Sequence, residues 1–143
     1  MTVKAILSRK GRDVLTIAPT ANLSEAVALL ADKRIGAVIV TGADDRVAGI
    51  LSERDIVRAL GERGAAALGD NVAAVMTRKV TTCAEADTIA AIMERMTTGK
   101  FRHMPVVEQG RLAGVISIGD VVKFRVEEIE RETDALREYI ATA

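Results

Sequence analysis

At 143 residues, 49% of them apolar, the chain is long enough for one domain or two small closely packed ones, and with no Trp, one Tyr and two Phe its core must be aliphatic. Its 20 basic and 20 acidic side chains cancel, so no net field draws it to nucleic acid or to an anionic membrane, and the single Cys83 excludes an internal disulfide or a Cys-rich zinc site. Residues 1–10 are too briefly apolar for a signal peptide and no later run nears the roughly 18 apolar residues of a membrane span, which predicts a soluble, cytoplasmic protein without a membrane partner.

Taken in order, the chain reads twice. Val3–Ser8 is echoed by Val72–Thr77, and Val14–Ala18 by Val80–Ala84, with three extra residues, Arg9 to Gly11, in the first copy. Val14–Ile17 is a short β-branched run ended by Pro19, a predicted strand. Asn22, three residues before Glu25, marks a helix start, and Leu23, Ala26, Val27, Leu30 and Ala31 carry the helix toward Arg34, with Gly36 expected to release the chain. Ala37–Val40 and Val47–Leu51 are continuous apolar runs joined through residues 42–45, as expected of strands covered on both faces. A second helix is predicted from Ser52. Residues 61–71 are the least patterned and are expected to link repeat one (3–60) to repeat two (72–128).

The second copy predicts a strand at Val80–Cys83, a helix over about 87–98 broken at Gly99, and a hairpin of His103–Val107 and Leu112–Ile116 turning at Gln109-Gly110. Its last helix overruns the repeat. Val122, Val126, Ile129, Thr133, Leu136 and Ile140 recur at steps of four and three, so the 129–143 extension is expected to pack against a second copy of the chain in a homodimer.

The strongest internal signal is a twelve-residue block, residues 46–57, repeated at 111–122 with six identities and four exchanges among aliphatics. Each copy is an apolar strand running into Ser-x-x-Asp: Ser52 and Asp55, then Ser117 and Asp120, with Gly49 or Gly114 three residues ahead. Ser at the N-cap with an acid three residues on is a capping box, which alone explains the pair. A helix N-terminus also attracts anions, and a carboxylate there can accept two hydroxyl hydrogen bonds from a ribose, which together sketch a nucleoside phosphate. The lone His103 beside Arg102 could clamp a phosphate or serve structurally, Thr77-Arg78-Lys79 adds a hydroxyl and two cations, and Cys83 reads as a small buried hydrophobe. No phosphate loop, catalytic carboxylate pair or nucleophile elbow is present, so neither an enzyme nor a required metal is expected.

The doubled Gly-x-x-Ser-x-x-Asp, Val75-Met76-Thr77 before a Val-rich segment, and Arg102-His103-Met104-Pro105-Val106-Val107 resemble a tandem cystathionine β-synthase (CBS) domain pair from Val3 to about Glu128. That resemblance implies an α/β (α+β) fold of two β-α-β-β-α repeats related by a pseudo-two-fold, extended here by the C-terminal helix. It also implies clefts for adenosine derivatives between the repeats, each joining the Ser and Asp of one repeat to the pre-strand segment and second strand of the other. Carried over residue by residue, one cleft would use Ser52, Arg54 and Asp55 with Thr77, Lys79, Val80, Arg102, His103, Met104 and Pro105. The other would use Ser117 and Asp120 with Ser8, Val14, Ala37, Val38 and Ile39. In this scheme the Asp residues hold ribose hydroxyls while Arg54, Arg102 and His103 meet phosphate. The chain departs from the family pattern at Ile39, where Pro is usual, and at Gly36-Ala37, which lacks cations. The expected function is a regulatory adenine-nucleotide sensor, taking AMP or else ATP, ADP or NAD(H), and acting on an unidentified protein partner or through a dimer rearrangement. The alternative is a constitutive homodimeric scaffold in which Ser-x-x-Asp only caps helices.

Overall fold

The computed structural model describes residues 1–142. Its elements in chain order are α1 (Val3–Lys10), β1 (Thr16–Ile17), α2 (Leu23–Lys33), β2 (Ala37–Thr41), β3 (Val47–Ser52), α3 (Glu53–Arg63), α4 (Val72–Val75), α5 (Ile89–Gly99), β4 (His103–Glu108), β5 (Arg111–Ser117) and α6 (Ile118–Thr142). Short 3-10 turns fill Ala43–Asp45 and Gly64–Gly69, the latter seating the buried Ala67. In repeat one, β2 pairs antiparallel with β3 and parallel with β1. In repeat two, β4 and β5 form the matching hairpin, turned at Gln109 and Gly110, both with positive φ.

The strand expected at Val80–Cys83 does not form. Only Cys83 bridges Val106, through Cys83 N to Pro105 O (3.0 Å) and Val107 N to Cys83 O (2.8 Å). Extending this parallel ladder toward Thr81 would require the amide of residue 105 as donor, and Pro105 has none. At the matching place in repeat one stands Ile39, and there the ladder holds two pairs, Thr16 with Ile39 and Ile17 with Val40.

Two helix exits also differ from expectation. Arg34 (φ 54) and Lys100 (φ 56) themselves take the left-handed turn, while Gly36 does not. Gly99 ends α5 for another reason: a Cβ there would lie 2.2 Å from the Phe101 ring, so its bare backbone is what lets Phe101 fold back.

The leading segment of each repeat is a helix packed into the other repeat. Val3, Ile6 and Leu7 of α1 are fully buried with Ile89, Met96, Met104, Ile116 and Phe124 of repeat two, whereas Val72 and Met76 are buried with Leu23, Val38, Leu51 and Ile56 of repeat one. Backbone bonds fasten the exchange: Val3 N donates to Asp87 O (2.9 Å) and, at the equivalent place, Val72 N to Ala21 O (2.8 Å). An eight-residue helix such as α1 is unstable alone, and burying each of its apolar side chains contributes about 1.5–3 kcal/mol.

Gly49 and Gly114 exist for this exchange. A Cβ on Gly49 would sit 2.7 Å from the Thr77 carbonyl oxygen and 2.8 Å from Met76 Sδ, and one on Gly114 2.7 Å from Leu7 Cδ2. Gly49→Ala is therefore expected to cost about 1–3 kcal/mol in urea unfolding. Gly61→Ala, in α3 with nothing within 4 Å of the added carbon, should instead gain up to about 1 kcal/mol. Equal effects would mean that the close approach does not constrain residue 49.

Candidate functional site

Ser52 ends β3 and caps α3, and the capping box is complete: Asp55 N donates to Ser52 Oγ (3.3 Å) while Ser52 N donates to Asp55 Oδ2 (3.0 Å). Asp55 is the one buried charged residue among the described residues, at 4% exposure. Its carboxylate also receives the Ser52 hydroxyl (3.1 Å to Oδ2) and, from the other repeat, the Thr77 hydroxyl (3.2 Å to Oδ1), with Arg58 Nη1 at 3.5 Å. Thr77 arrives there because the chain leaving α4 pairs with β3, Ile50 N to Thr77 O and Thr77 N to Ile50 O both at 2.9 Å.

These groups stand in a cleft of about 390 Å³ between the repeats. The cleft gathers Ser52, Arg54, Asp55, Thr77, Lys79, Val80, Arg102 and His103. Met104 and Pro105 are not among its walls; both are buried, Met104 at 0% within the core of repeat two. Arg78 turns away and donates to Ala73 O (3.0 Å) at the end of α4. Sequence reasoning missed Lys100 and Phe101, which also line the cleft. The signal was the run Lys100-Phe101-Arg102-His103, but only the left-handed turn at Lys100 brings its first two members to the same wall. Arg54, Lys79, Lys100 and Arg102 outnumber Glu53 and Asp55, so the cleft focuses a positive potential although the whole chain is neutral.

A second cleft, of about 250 Å³, holds Val14, Ala37, Val38, Ile39 and Ser117. Ser8 lies elsewhere, exposed on α1. Asp120 N donates to Ser117 Oγ (3.2 Å) and Ser117 N to Asp120 Oδ2 (2.9 Å), the same reciprocal pair as at Asp55. Here, however, the partner from the other repeat is a cation: the three extra residues carry α1 on through Lys10, whose ammonium lies 2.5 Å from Asp120 Oδ2. Burial works to raise the Asp120 carboxyl, but hydrogen bonds from Lys10 and the Ser117 amide outweigh it and hold the group below the usual carboxylate range. Lys10 is thus the cation at this cleft, whose other walls include Asp13 and the apolar Leu15, Ile35, Ile50 and Val115; Asp120, expected here, is not among its walls, its carboxylate being turned to the Ser117 amide and Lys10.

His103 borders both clefts. Burial, then Lys10 and Arg102, lower its pKa against the opposing pull of Asp120, favouring the neutral imidazole at pH 7. Cys83 is buried, with its thiol pushed up to about 12 by burial first and by Asp87 second, as suits a core side chain. Among the described residues no cluster of His, Cys, Asp and Glu able to hold a metal ion occurs, and no helix is long and apolar enough to cross a membrane.

The CBS domain family model matches residues 3–62 and again 72–127. A CBS-domain containing protein from Agrobacterium tumefaciens is 52% identical, the match covering 87% of this chain and 92% of that one with a TM-score of 0.82. A CBS domain protein from Pyrobaculum aerophilum, solved as a complex with AMP, is 29% identical over 84% of this chain and 89% of its own, with a TM-score of 0.74. The mitochondrial CBS domain-containing protein CBSX3 of Arabidopsis thaliana is 29% identical, the match taking in 97% of this chain and 71% of the plant protein. The chain spans only 24% of another Arabidopsis relative, CBSCBSPB1.

The Lys10 to Asp120 contact carries a pH signature. A carboxyl held below its unfolded value contributes stability that is present above that value and is lost as the pH falls through the folded one. Asp120→Asn should therefore be less stable than the native chain at pH 7, and the gap should narrow as the pH falls below about 4, in urea unfolding followed into the acid range. A gap that persists undiminished at the acid end would mean that shape, not charge, explains the cost.

Proposed function

The chain belongs to the CBS domain family, and from that premise we propose that it is a regulatory module whose larger cleft senses an adenine nucleotide. AMP is the first candidate, with ATP, ADP and NAD(H) as alternatives. The observation that carries this reading is Asp55: a buried carboxylate, held in place by Ser52, opening onto a cleft rimmed by Arg54, Lys79, Lys100 and Arg102. A ribose diol offers two hydroxyl donors to such a carboxylate, and rotation of the Thr77 hydroxyl would free Oδ1 for one of them. The cationic rim suits the attached phosphate, while Ile50, Val80 and Phe101 provide apolar and aromatic surface for the base. The AMP complex of the 29% identical P. aerophilum protein supports the choice of ligand class.

The cleft binds and regulates without chemistry of its own. Ligand acts by favouring one arrangement of the chain or its assembly over another, to the extent that it binds the two differently, and a protein partner in the cytoplasm would read the outcome. The second cleft is the lesser site, because Asp120 is not among its walls and Lys10 already holds the carboxylate that a ribose would need. The competing reading, a constitutive scaffold, draws on the fact that Ser52 and Thr77 already engage Asp55 as a cap.

Thermal unfolding with AMP, ADP, ATP, NAD(H) and S-adenosylmethionine separates the two. A ligand at about 100 times its dissociation constant adds roughly 2.7 kcal/mol, a rise of several degrees in Tm. Asp55→Ala should lower the Tm, by loss of a cap worth about 0.5–2 kcal/mol, and abolish the ligand-induced rise, whereas Asp120→Ala should keep it. No rise with any of the five ligands leaves the scaffold reading, while a rise that survives in Asp55→Ala makes Asp55 a helix cap and places the ribose elsewhere.

A further inference from the structure

The two carboxylates of the doubled block are capped alike, yet the opposite repeat brings a different group to each. Asp55 lines its cleft and accepts from the neutral Thr77 hydroxyl (3.2 Å), a donor that turns aside by rotation about one bond. Asp120 instead accepts from the Lys10 ammonium at 2.5 Å. Lys10 and Ser117, the two residues bonded to that carboxylate, are walls of the second cleft, while the carboxylate behind them is not.

Lys10 is fixed in this position from both sides. It is the last residue of α1, which ends at Gly11 (φ 101), whose amide donates to Leu7 O (2.8 Å). Its neighbours are tied to repeat two: Arg9 lies over the Phe124 ring, 4.8 Å from its centroid, and pairs with Glu127 (2.6 Å), and Arg12 pairs with Glu85. A cation tethered in this way bonds Asp120 without the loss of translational and rotational freedom that a free ligand incurs. A ribose diol would in addition have to exchange an ion pair for bonds from neutral hydroxyls.

We propose that Lys10 is the specificity-determining residue of the second cleft: a built-in cation that keeps ribose off Asp120, so that the chain takes one nucleotide where its fold supplies two capped carboxylates. This rests on the nucleotide reading for the class of ligand and goes beyond it in assigning the closure to one side chain. Lys10→Thr supplies the residue type that faces Asp55, removes the cation and widens a cleft of about 250 Å³, whereas Lys10→Arg keeps a cation of similar reach.

Isothermal titration calorimetry of the full chain with AMP tests the assignment. The native chain and Lys10→Arg are expected to take one AMP per chain, and Lys10→Thr two. The second cleft is read by itself in an Asp55→Ala background, where Lys10→Thr should tighten AMP binding about tenfold or more and Asp120→Ala added to it should remove the gain. That gain supports Lys10 as the closure even where the native chain takes no AMP, a result that would sink the reading of the larger cleft alone. The count on Lys10→Thr, in which both caps are intact, stands without the Asp55→Ala background. A native chain that takes two AMP, one of them lost in Asp120→Ala, would overturn the proposal. So would a Lys10→Thr exchange that adds no binding in either background, a Lys10→Arg chain that opens as Lys10→Thr does, or a gain that survives Asp120→Ala. If Lys10→Thr adds nothing while the native chain still takes one AMP, the nucleotide reading stands and the Lys10 assignment falls.

Discussion

Two short helices, each packed into the repeat to which it does not belong, hold this molecule together. Without α1 the core of repeat two loses Val3, Ile6 and Leu7, and without α4 that of repeat one loses Val72 and Met76. Neither repeat closes alone, so the surface between them is part of the fold itself. The same exchange builds the clefts. The chain leaving α4 delivers Thr77 to Asp55, and the end of α1 delivers Lys10 to Asp120. Each carboxylate is positioned by its own helix cap and completed by the opposite repeat.

The pseudo-two-fold makes the two sites comparable, and small departures from it make them unequal. Three inserted residues extend α1 by about a turn and replace a hydroxyl donor with an ammonium at the second carboxylate. Pro105 against Ile39 shortens one parallel ladder to a single bridge. Lys100, Phe101 and Arg102 line the larger cleft, where the corresponding stretch of repeat one, ending in Gly36 and Ala37, carries less charge and bulk. One cleft is cationic around a buried carboxylate; the other is mostly apolar, with Lys10 and Asp13 at its walls and the Asp120 carboxylate drawn off by Lys10. His103 stands between them and belongs to both walls.

Much of this was legible in the sequence because it repeats and because its helices and strands carry their own periodicity and caps. Asn22, Ser52 and the hairpin at Gln109-Gly110 behave as local chemistry dictates. The exchange of α1 and α4 was not legible, since a short apolar segment does not say which of two similar cores it will enter. The glycines of the doubled block gave the one hint, by leaving space, and the group that fills it is the other repeat's backbone at Thr77 and side chain at Leu7. Ser8 aligned with Thr77 by sequence, but the insertion after it keeps it in helix and passes its place to Lys10. Met104 follows His103 along β4, and strand alternation turns it into the core, while Pro105 is buried outside the walls of the cleft. Lys100 reaches the cleft through a left-handed turn that no propensity for Lys would forecast.

The central claim is that Asp55, reached from both repeats, is the ribose-binding group of a nucleotide site. A crystal structure of the chain grown with AMP tests it most directly. The account predicts the ribose hydroxyls on Asp55, with the Thr77 hydroxyl turned aside and the phosphate toward the cationic rim formed by Lys79, Lys100 and Arg102. A nucleotide bound only in the cleft beside Asp120, or one in the larger cleft with Asp55 still closed by Ser52 and Thr77 and no ribose hydroxyl upon it, would contradict it.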